Sequence, residues 1–296
     1  MPITQLPSGT DICFESFGPE DAPALLLVSG LSTQMIRWQG GFISEMLDRG
    51  FRVIRFDNRD VGLSSKTPGE PPDVPAMLAK SLAGEPVEAP YTLSDMAQDS
   101  VGVLDHLDVD AAHVLGTSLG GMIAQMMAIE HADRVRTLTS VMSTTGAAGV
   151  GQARPEAMAV LAGAASVPSE RDAYVEHSVA GFRVFSGPLF DETEMRGMFR
   201  EAHARCFHPQ GSAFQVAAAT ATGDRTEALR GLDVPTLVIH GRIDPLIDLT
   251  GGQATASAIP GADLLVLGQM GHDLPRLYWP QIADAVLALS LRTDTQ

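Results

Sequence analysis

A serine stands between two glycines in the run Gly116-Thr117-Ser118-Leu119-Gly120. An apolar stretch at residues 112–115 precedes this run and is typical of a buried strand, and residues 119–129 favour a helix. A strand that turns so sharply into a helix tolerates only small neighbours and leaves the serine hydroxyl exposed at the strand tip. The N-terminus of the helix also presents N–H groups that favour nearby negative charge. The pattern predicts that Ser118 is a nucleophile.

A serine hydroxyl becomes a useful nucleophile only when a base accepts its proton and an acid orients that base. Two downstream loops can supply these groups, because each follows a predicted strand and parallel strands of an open sheet end at the same edge. The first loop, after residues 236–240, contains Asp244, and the second, after residues 264–267, contains His272. Asp244 and His272 are therefore the predicted acid and base.

Other polar residues near these loops could carry the same chemistry. Asp248 is the reserve acid, whereas Asp233 precedes its strand and so belongs to the opposite side of the sheet. His240 ends a predicted strand, and we expect it to be a packed, hydrogen-bonded histidine rather than the base. His203 and His208 have a spacing that suggests a metal site, but no third ligand accompanies them. The sequence therefore predicts no metal.

The elements that must position these residues alternate between strand and helix along most of the chain. This alternation predicts an α/β fold with a mostly parallel, eight-stranded sheet, right-handed crossovers and flanking helices. A turn sequence at residues 7–10 predicts that the first two strands form an antiparallel hairpin. Ser94 is the expected cap of the helix before the serine-bearing strand. The predicted strands lie at residues 3–6, 11–17, 24–28, 52–56, 112–115, 135–142, 236–240 and 262–267.

The alternation stops after the sixth predicted strand, and residues 152–210 favour helices with many apolar side chains. An all-helical insertion at the carboxyl end of a strand would lie over the site and bury a substrate. We therefore expect an α/β core formed by residues 1–145 and 212–296, with a helical cap, or lid, at residues 146–211. A connection rich in proline and glycine at residues 67–90 has no role that its sequence reveals.

Composition and charge restrict the class of partner. The formal net charge is −16, from 36 acidic and 20 basic residues, and such an acidic surface disfavours nucleic acids and anionic membranes. The N-terminus lacks the regions of a signal peptide, and no apolar stretch is long enough to span a bilayer. Cys13 and Cys206 stand far apart without a C-x-x-C pair, so dithiol redox chemistry has no support. We expect a cytoplasmic protein that neither binds nucleic acid nor inserts into membranes.

With a serine, an aspartate and a histidine at three predicted strand tips, the sequence resembles the α/β-hydrolase fold superfamily over nearly its whole length. The order serine, aspartate, histidine along the chain is the order of that superfamily. Three stretches are similar to bacterial carboxylic ester hydrolases of the aclacinomycin methylesterase type. These stretches are residues 25–30, 53–64 and 270–275.

The resemblance implies a role for each residue of the site. Ser118 would be the nucleophile, Asp244 the acid and His272 the base of a catalytic triad. The backbone N–H groups of Leu31 and Leu119 would form an oxyanion hole, and each such donor stabilises a transition state by roughly 2.7–4 kcal/mol. The resemblance therefore implies a complete apparatus for acyl transfer.

Two further positions are expected beside the substrate, Gly30 and Trp38, although Trp38 has an equal claim to packing against the helix that follows it. The superfamily often has histidine at position 29 and methionine at position 119, where this chain has Ser29 and Leu119. A backbone donor at residue 31 does not need that histidine, so the oxyanion hole is still expected.

These features predict a serine hydrolase that cleaves carboxylic esters through an acyl-enzyme without a cofactor. A serine nucleophile disfavours the aspartyl-nucleophile reactions of the superfamily, epoxide hydrolysis and dehalogenation. Thioester, amide and lactone hydrolysis use the same groups and stay open, as does perhydrolysis of the haloperoxidase type. A non-catalytic receptor for a small ligand is the alternative from another class. The expected partner is a small ester, and self-association into a homodimer stays open.

Overall fold

An eight-stranded sheet forms the centre of the molecule in the computed structural model, which describes residues 1–293. The spatial order is β1-β2-β4-β3-β5-β6-β7-β8. Only the β1–β2 and β2–β4 pairs are antiparallel, so the predicted fold class is confirmed. The strands are β1 (Ile3–Gln5), β2 (Asp11–Phe17), β3 (Ala24–Val28), β4 (Arg52–Phe56), β5 (Ala112–Thr117), β6 (Val135–Val141), β7 (Thr236–Gly241) and β8 (Asp263–Leu267).

Helices cover the sheet and fill the long connections between strands. Those before the fifth strand and directly after it are α1 (Gly40–Leu47), α2 (Val74–Leu82), α3 (Leu93–His106) and α4 (Leu119–Glu130). Those between β6 and β7 are α5 (Pro155–Ala162), α6 (Arg171–Phe185), α7 (Glu192–Arg205), α8 (Gly211–Thr222) and α9 (Thr226–Leu229). The last two are α10 (Leu249–Ala258) and α11 (Trp279–Ser290).

The central strand β3 shows how the sequence creates two cores. All five of its residues are buried, and successive side chains of a strand point to opposite faces of the sheet. Leu26 and Val28 pack in one cluster with side chains of α3 and α4. Leu25 and Leu27 pack in the other cluster with side chains of α1 and α11. An apolar run is therefore typical of a strand covered on both faces.

The cap of α3 differs from the prediction. Thr92 is the N-cap, and it forms a capping box with Asp95, whose side chain accepts a hydrogen bond from the Thr92 backbone N–H. Ser94 lies inside the first turn, where its hydroxyl donates to Glu130 at 2.7 Å. The prediction of Ser94 was wrong because a reciprocal threonine–acid pair satisfies two free N–H groups, whereas Ser94 alone would satisfy one.

The insertion between β6 and β7 contains helices and no strand in residues 142–235. Its helices α6 and α7 pack on each other around a small cluster of Val175, Val179 and Met195. Helix α8 instead packs against α2 and α3. We refer to α5, α6 and α7 together as the cap helices. In residues 1–293, no helix combines the length and the apolar character needed to cross a membrane.

Candidate active site

Ser118 occupies the turn between β5 and α4 with φ 54° and ψ −119°, a backbone conformation that is unusual for any residue other than glycine. The flanking glycines permit this turn. A Cβ atom on Gly116 would lie 2.0 Å from the carbonyl oxygen of Gly120, and one on Gly120 would lie 2.1 Å from the carbonyl oxygen of Val28. The sequence therefore forms a strained elbow because only glycine fits on either side of it.

The structure brings together the serine, histidine and aspartate that the sequence singled out. Nε2 of His272 lies 2.9 Å from the Ser118 hydroxyl oxygen, and Nδ1 of His272 lies 2.8 Å from Oδ2 of Asp244. Asp244 and His272 follow β7 and β8, which end at the same edge of the sheet as β5. A carboxylate can only accept here, so Nδ1 carries the proton and Nε2 is free to accept the serine proton.

Asp244 is held by its own backbone. Its Oδ1 atom accepts hydrogen bonds from the N–H groups of Leu246 at 2.8 Å and Ile247 at 2.9 Å. These bonds fix the plane of the carboxylate and direct the second oxygen to His272. The Asp244 side chain is fully buried, and charge-assisted bonds are stronger in such surroundings.

The alternative acid and base have other partners. Asp248 is the N-cap of α10, where its carboxylate accepts from the Thr250 N–H at 3.0 Å. His240 is buried and donates from Nε2 to the carbonyl oxygen of Ile247 at 2.8 Å. Burial lowers the pKa of His240, because desolvation penalises the charged imidazole. His240 is therefore a packed histidine beside the site, 3.6 Å from Oδ2 of Asp244.

The two histidines of the insertion have separate surroundings. Nε2 of His203 donates to the carbonyl oxygen of Ser169 at 3.0 Å, and His208 lines the cavity described below. Among residues 1–293, no group of three or more histidine, cysteine, aspartate or glutamate side chains is arranged to hold a metal ion.

The two backbone donors expected at the oxyanion hole belong to the residue after the serine and to the loop at Gly30. Leu119 is the first residue of α4, so its N–H has no acceptor within the helix. Leu31 follows Gly30, where an added Cβ would lie 3.4 Å from the Cβ of Ser118 and 3.2 Å from the carbonyl oxygen of Thr117. The loop at Gly30 and Leu31 therefore contacts the nucleophile directly.

Trp38 both lines the cavity and packs against the helix that follows it. It lines the cavity next to Ser118, and its ring lies 5.4 Å from the ring of Phe42 on α1. Its indole N–H donates to the Ser29 hydroxyl at 3.0 Å. Position 29, often histidine in the superfamily, here supplies the acceptor that a buried tryptophan needs.

A cavity of about 1050 Å³ lies between the sheet edge and the cap helices. Ser118, His272 and Trp38 line it from the core, and Phe182 and Phe199 line it from α6 and α7. A largely apolar cavity of this size can enclose a small organic molecule around the serine. The arrangement can therefore hold a carbonyl compound at an activated hydroxyl.

A buried ion pair joins the cap helix α7 to the loop that follows β4. Asp57 accepts from Arg205 Nη1 at 2.7 Å and from the N–H groups of Met35 and Leu63 at 2.8 and 2.9 Å. Arg205 ends α7 and also donates to Gln34. Sequence reasoning missed this contact, since no local pattern connects residues so far apart along the chain.

The cap helices also touch the histidine loop. The His272 backbone N–H donates to the carbonyl oxygen of Phe185 at 2.7 Å, and Phe185 ends α6. A Cβ on Gly271 would lie 2.6 Å from that same carbonyl oxygen. The glycine before His272 thus allows the end of α6 to approach the base, a role that the sequence did not indicate.

Comparison with known proteins identifies relatives with the α/β-hydrolase fold. The profile of the alpha/beta hydrolase fold family matches residues 23–275. Rhodomycin D methylesterase DnrP of Streptomyces peucetius is 29% identical over an alignment 294 residues long, and the match covers 91% of each chain. The 2-hydroxymuconate semialdehyde hydrolase of Pseudomonas sp. (strain CF600) is 28% identical over 283 residues, which cover 93% of this chain and 95% of that protein.

Solved structures share the fold over the whole chain. A hydrolase from Pseudomonas aeruginosa PA01 superposes with a TM-score of 0.73 at 25% identity, covering 100% of this chain and 98% of the other. The enol-lactonase from Burkholderia xenovorans LB400 superposes with a TM-score of 0.72 at 23% identity, covering 100% of both chains.

Proposed function

This chain belongs to the α/β-hydrolase fold family, and from that premise we propose that it hydrolyses carboxylic esters with Ser118 as the nucleophile. The observation that carries the proposal is the unbroken hydrogen-bonded series from Ser118 through His272 to Asp244, which opens into the cavity. The similarity of this chain to a rhodomycin D methylesterase over 91% of both chains favours an ester over the other acyl compounds as the substrate.

The geometry supports a two-step reaction. As the Ser118 oxygen attacks the ester carbonyl, Nε2 of His272 accepts the hydroxyl proton, and it then donates this proton to the departing alcohol oxygen. Asp244 holds the imidazole in place and stabilises its positive charge. Water then attacks the carbonyl of the acyl-enzyme while Nε2 of His272 accepts a proton from it. The imidazole donates this proton to the Ser118 oxygen as the bond between that oxygen and the acyl group breaks. This step releases the acid and restores Ser118.

We assign the oxyanion hole to the N–H groups of Leu31 and Leu119. The charge that develops on the carbonyl oxygen lies close to Ser118, where the α4 N-terminus and the loop at Gly30 meet. Donors that are already in position cost no reorganisation during the reaction, which is why such sites contribute strongly to the rate. Gly30 and Trp38 then form the wall beside the reacting carbonyl.

We also propose that residues 146–211 act as the cap and select the substrate. Support comes from the side chains of α6 and α7 that line the cavity and from the contact between Phe185 and the His272 loop. A cytoplasmic location fits the two free cysteines, Cys13 and Cys206, because reduced thiols persist in reducing compartments.

The direct test is hydrolysis of p-nitrophenyl esters, from acetate to long acyl chains, by the wild type and by Ser118→Ala. We expect turnover with an optimum of chain length, and a loss of roughly 10⁶-fold in the variant. Equal turnover by the variant would exclude Ser118 as the nucleophile. Tight ligand binding without turnover of any ester would favour a receptor.

A further inference from the structure

Within the described residues 1–293, Arg37 is a cation in the cavity beside Ser118 that makes no ion pair. It ends a short 3₁₀ turn, Met35–Arg37, that follows the loop at Leu31. Its side chain is half-buried and lines the same cavity as Ser118 and His272.

The neighbours of the guanidinium are apolar. It lies 4.1 Å above the centre of the Phe182 ring, and Nη1 points to the sulfur atoms of Met195 at 3.1 Å and Met198 at 3.8 Å. Thioether sulfur is a weak acceptor. Within residues 1–293, no carboxylate oxygen lies within 4 Å of Arg37. A guanidinium has five donors, and most of them stay unused here.

The two nearest acidic side chains are occupied elsewhere. Glu194 pairs with Arg276 at 2.6 Å and accepts from Gln39. Asp273 accepts from the N–H groups of Gly271, at 2.9 Å, and Gly187. Both carboxylates attract Arg37 only from a distance.

Arg37 nevertheless remains charged at neutral pH. Burial lowers its pKa to about 10, still well above 7. A desolvated cation without a counter-ion is costly, and proteins usually pair such a group or use it to bind a ligand. The cap helices place this cation where a ligand can reach it, because it lines the open cavity rather than a closed core.

Arg37 and the catalytic base lie in one chamber. The Phe182 ring beneath Arg37 lies 6.3 Å from the ring of Phe185, which in turn lies 6.3 Å from the imidazole of His272. Asp273, the residue after His272, is near enough to act electrostatically on Arg37. A molecule with two functional groups can therefore reach both sites at once.

We propose that Arg37 binds a carboxylate of the substrate, so that the natural substrate is an anionic ester with a carboxylate at one end and the scissile ester at the other. This inference rests on the proposed ester hydrolysis. The planar guanidinium suits a carboxylate, to which it donates two parallel hydrogen bonds.

The test compares two esters of equal length, monomethyl adipate, which carries a carboxylate, and methyl hexanoate, which does not. We expect the wild type to have a higher kcat/KM for the anionic ester than for the neutral one. Arg37→Met should reduce this ratio by about 30-fold or more, because the substrate carboxylate would lose its charged partner. Arg37→Lys should recover part of it. Arg183→Met is the matched control, because Arg183 lies on α6 but is exposed, pairs with Glu192 and does not line the cavity, and the preference of this variant should stay that of the wild type.

Binding without turnover provides a second readout. In the Ser118→Ala background, Arg37→Met should weaken binding of monomethyl adipate at least tenfold by calorimetry, with the melting temperature checking that the variant is folded. An unchanged preference and unchanged binding in folded Arg37→Met would overturn the inference while leaving ester hydrolysis intact. If the wild type hydrolyses neither ester nor any p-nitrophenyl ester, the proposed function itself fails. A phosphonate-terminated ester that is preferred over the adipate would contradict the assignment to a carboxylate.

Discussion

The strand tips and the cap helices differ in how tightly their side chains are fixed. Around Ser118, atoms of the backbone leave no room for a side chain at Gly116 or Gly120, and the triad residues are anchored by bonds of 2.8–2.9 Å. The cap helices, by contrast, bury only Val175, Val179 and Met195 in a cluster of their own. Most of their apolar side chains larger than alanine are half-buried and line the cavity.

This difference separates the reaction from the choice of substrate. Under the proposed function, the reaction depends on atoms that backbone contacts and hydrogen bonds of the core hold in place. Under the same proposal, substrate choice depends on side chains of the cap helices that a close relative could exchange without disturbing the sheet. We therefore expect substitutions at the strand tips to affect turnover or folding, and substitutions on the cap helices to affect stability little unless they break a contact with the core.

The largest effect expected at the strand tips is that of Asp244→Asn, which removes the charge that orients His272. Turnover of p-nitrophenyl acetate should fall roughly 10⁴-fold. The matched control is Asp248→Asn, which changes an acid in the same loop that only caps α10, and its turnover should stay within about threefold of the wild type. A larger loss in the Asp248 variant would move the acid to that residue.

A pair of glycines compares the two regions directly in stability. Gly116→Ala would place a methyl group 2.0 Å from a backbone oxygen, and we expect a loss of about 4 kcal/mol or complete failure to fold. Gly197→Ala, inside the cap helix α7, meets no atom within 4 Å and should raise stability by about 0.5–1 kcal/mol. Urea denaturation measures both. Similar values for the two variants would contradict the contrast between the regions.

The ion pair between Arg205 and Asp57 is the exception expected among the cap helices, because it enters the core. The two side chains are 8% and 0% exposed, so Arg205→Met leaves a buried carboxylate with two backbone donors and should destabilise by about 3 kcal/mol. Arg200→Met is the control in the same helix, since Arg200 is 53% exposed and 3.7 Å from Asp172; its effect should be within about 0.5 kcal/mol. Equal melting temperatures for the two variants would show that the pair does not hold the cap.

The smallest expected effect concerns two histidines that each donate to a backbone carbonyl, His240 in the core and His203 on α7. Burial lowers the pKa of His240, so the unfolded chain binds the proton more readily than the folded one. Stability should therefore fall as the pH drops below the ordinary histidine value of about 6.5.

Denaturation at pH 7.5 and pH 5 tests this difference. His240→Gln keeps a donor for Ile247 but cannot titrate, and it should reduce the acid-induced loss of stability. His203→Gln, at an exposed hydrogen bond to the carbonyl oxygen of Ser169, is the comparison variant. An equally steep loss in His240→Gln would assign the pH dependence to other groups.

Sequence patterns predicted the fold and located Ser118, Asp244 and His272, because each of these features depends on local signals. Apolar runs identified the strands. Glycines on both sides marked the turn at Ser118, and Asp244 and His272 were found in the loops directly after two predicted strands. The cap of α3 at Thr92 rather than Ser94 shows that even a local prediction fails when two side chains cooperate. Contacts such as Arg205 with Asp57, or Arg37 with Phe182, join distant segments whose approach depends on the packing of the cap helices. No local pattern contains that information.

Covalent labelling tests the central claim, that Ser118 is the activated nucleophile of an acyl-transfer site. A fluorophosphonate, which reacts with a serine hydroxyl only when a neighbouring base activates it, is incubated with the wild type and with Ser118→Ala, and the proteins are analysed by intact and peptide mass spectrometry. We predict one adduct per chain, on the peptide that contains Ser118, together with complete loss of esterase activity and no adduct in the variant. Labelling of another residue, or full activity in the labelled protein, would contradict the assignment.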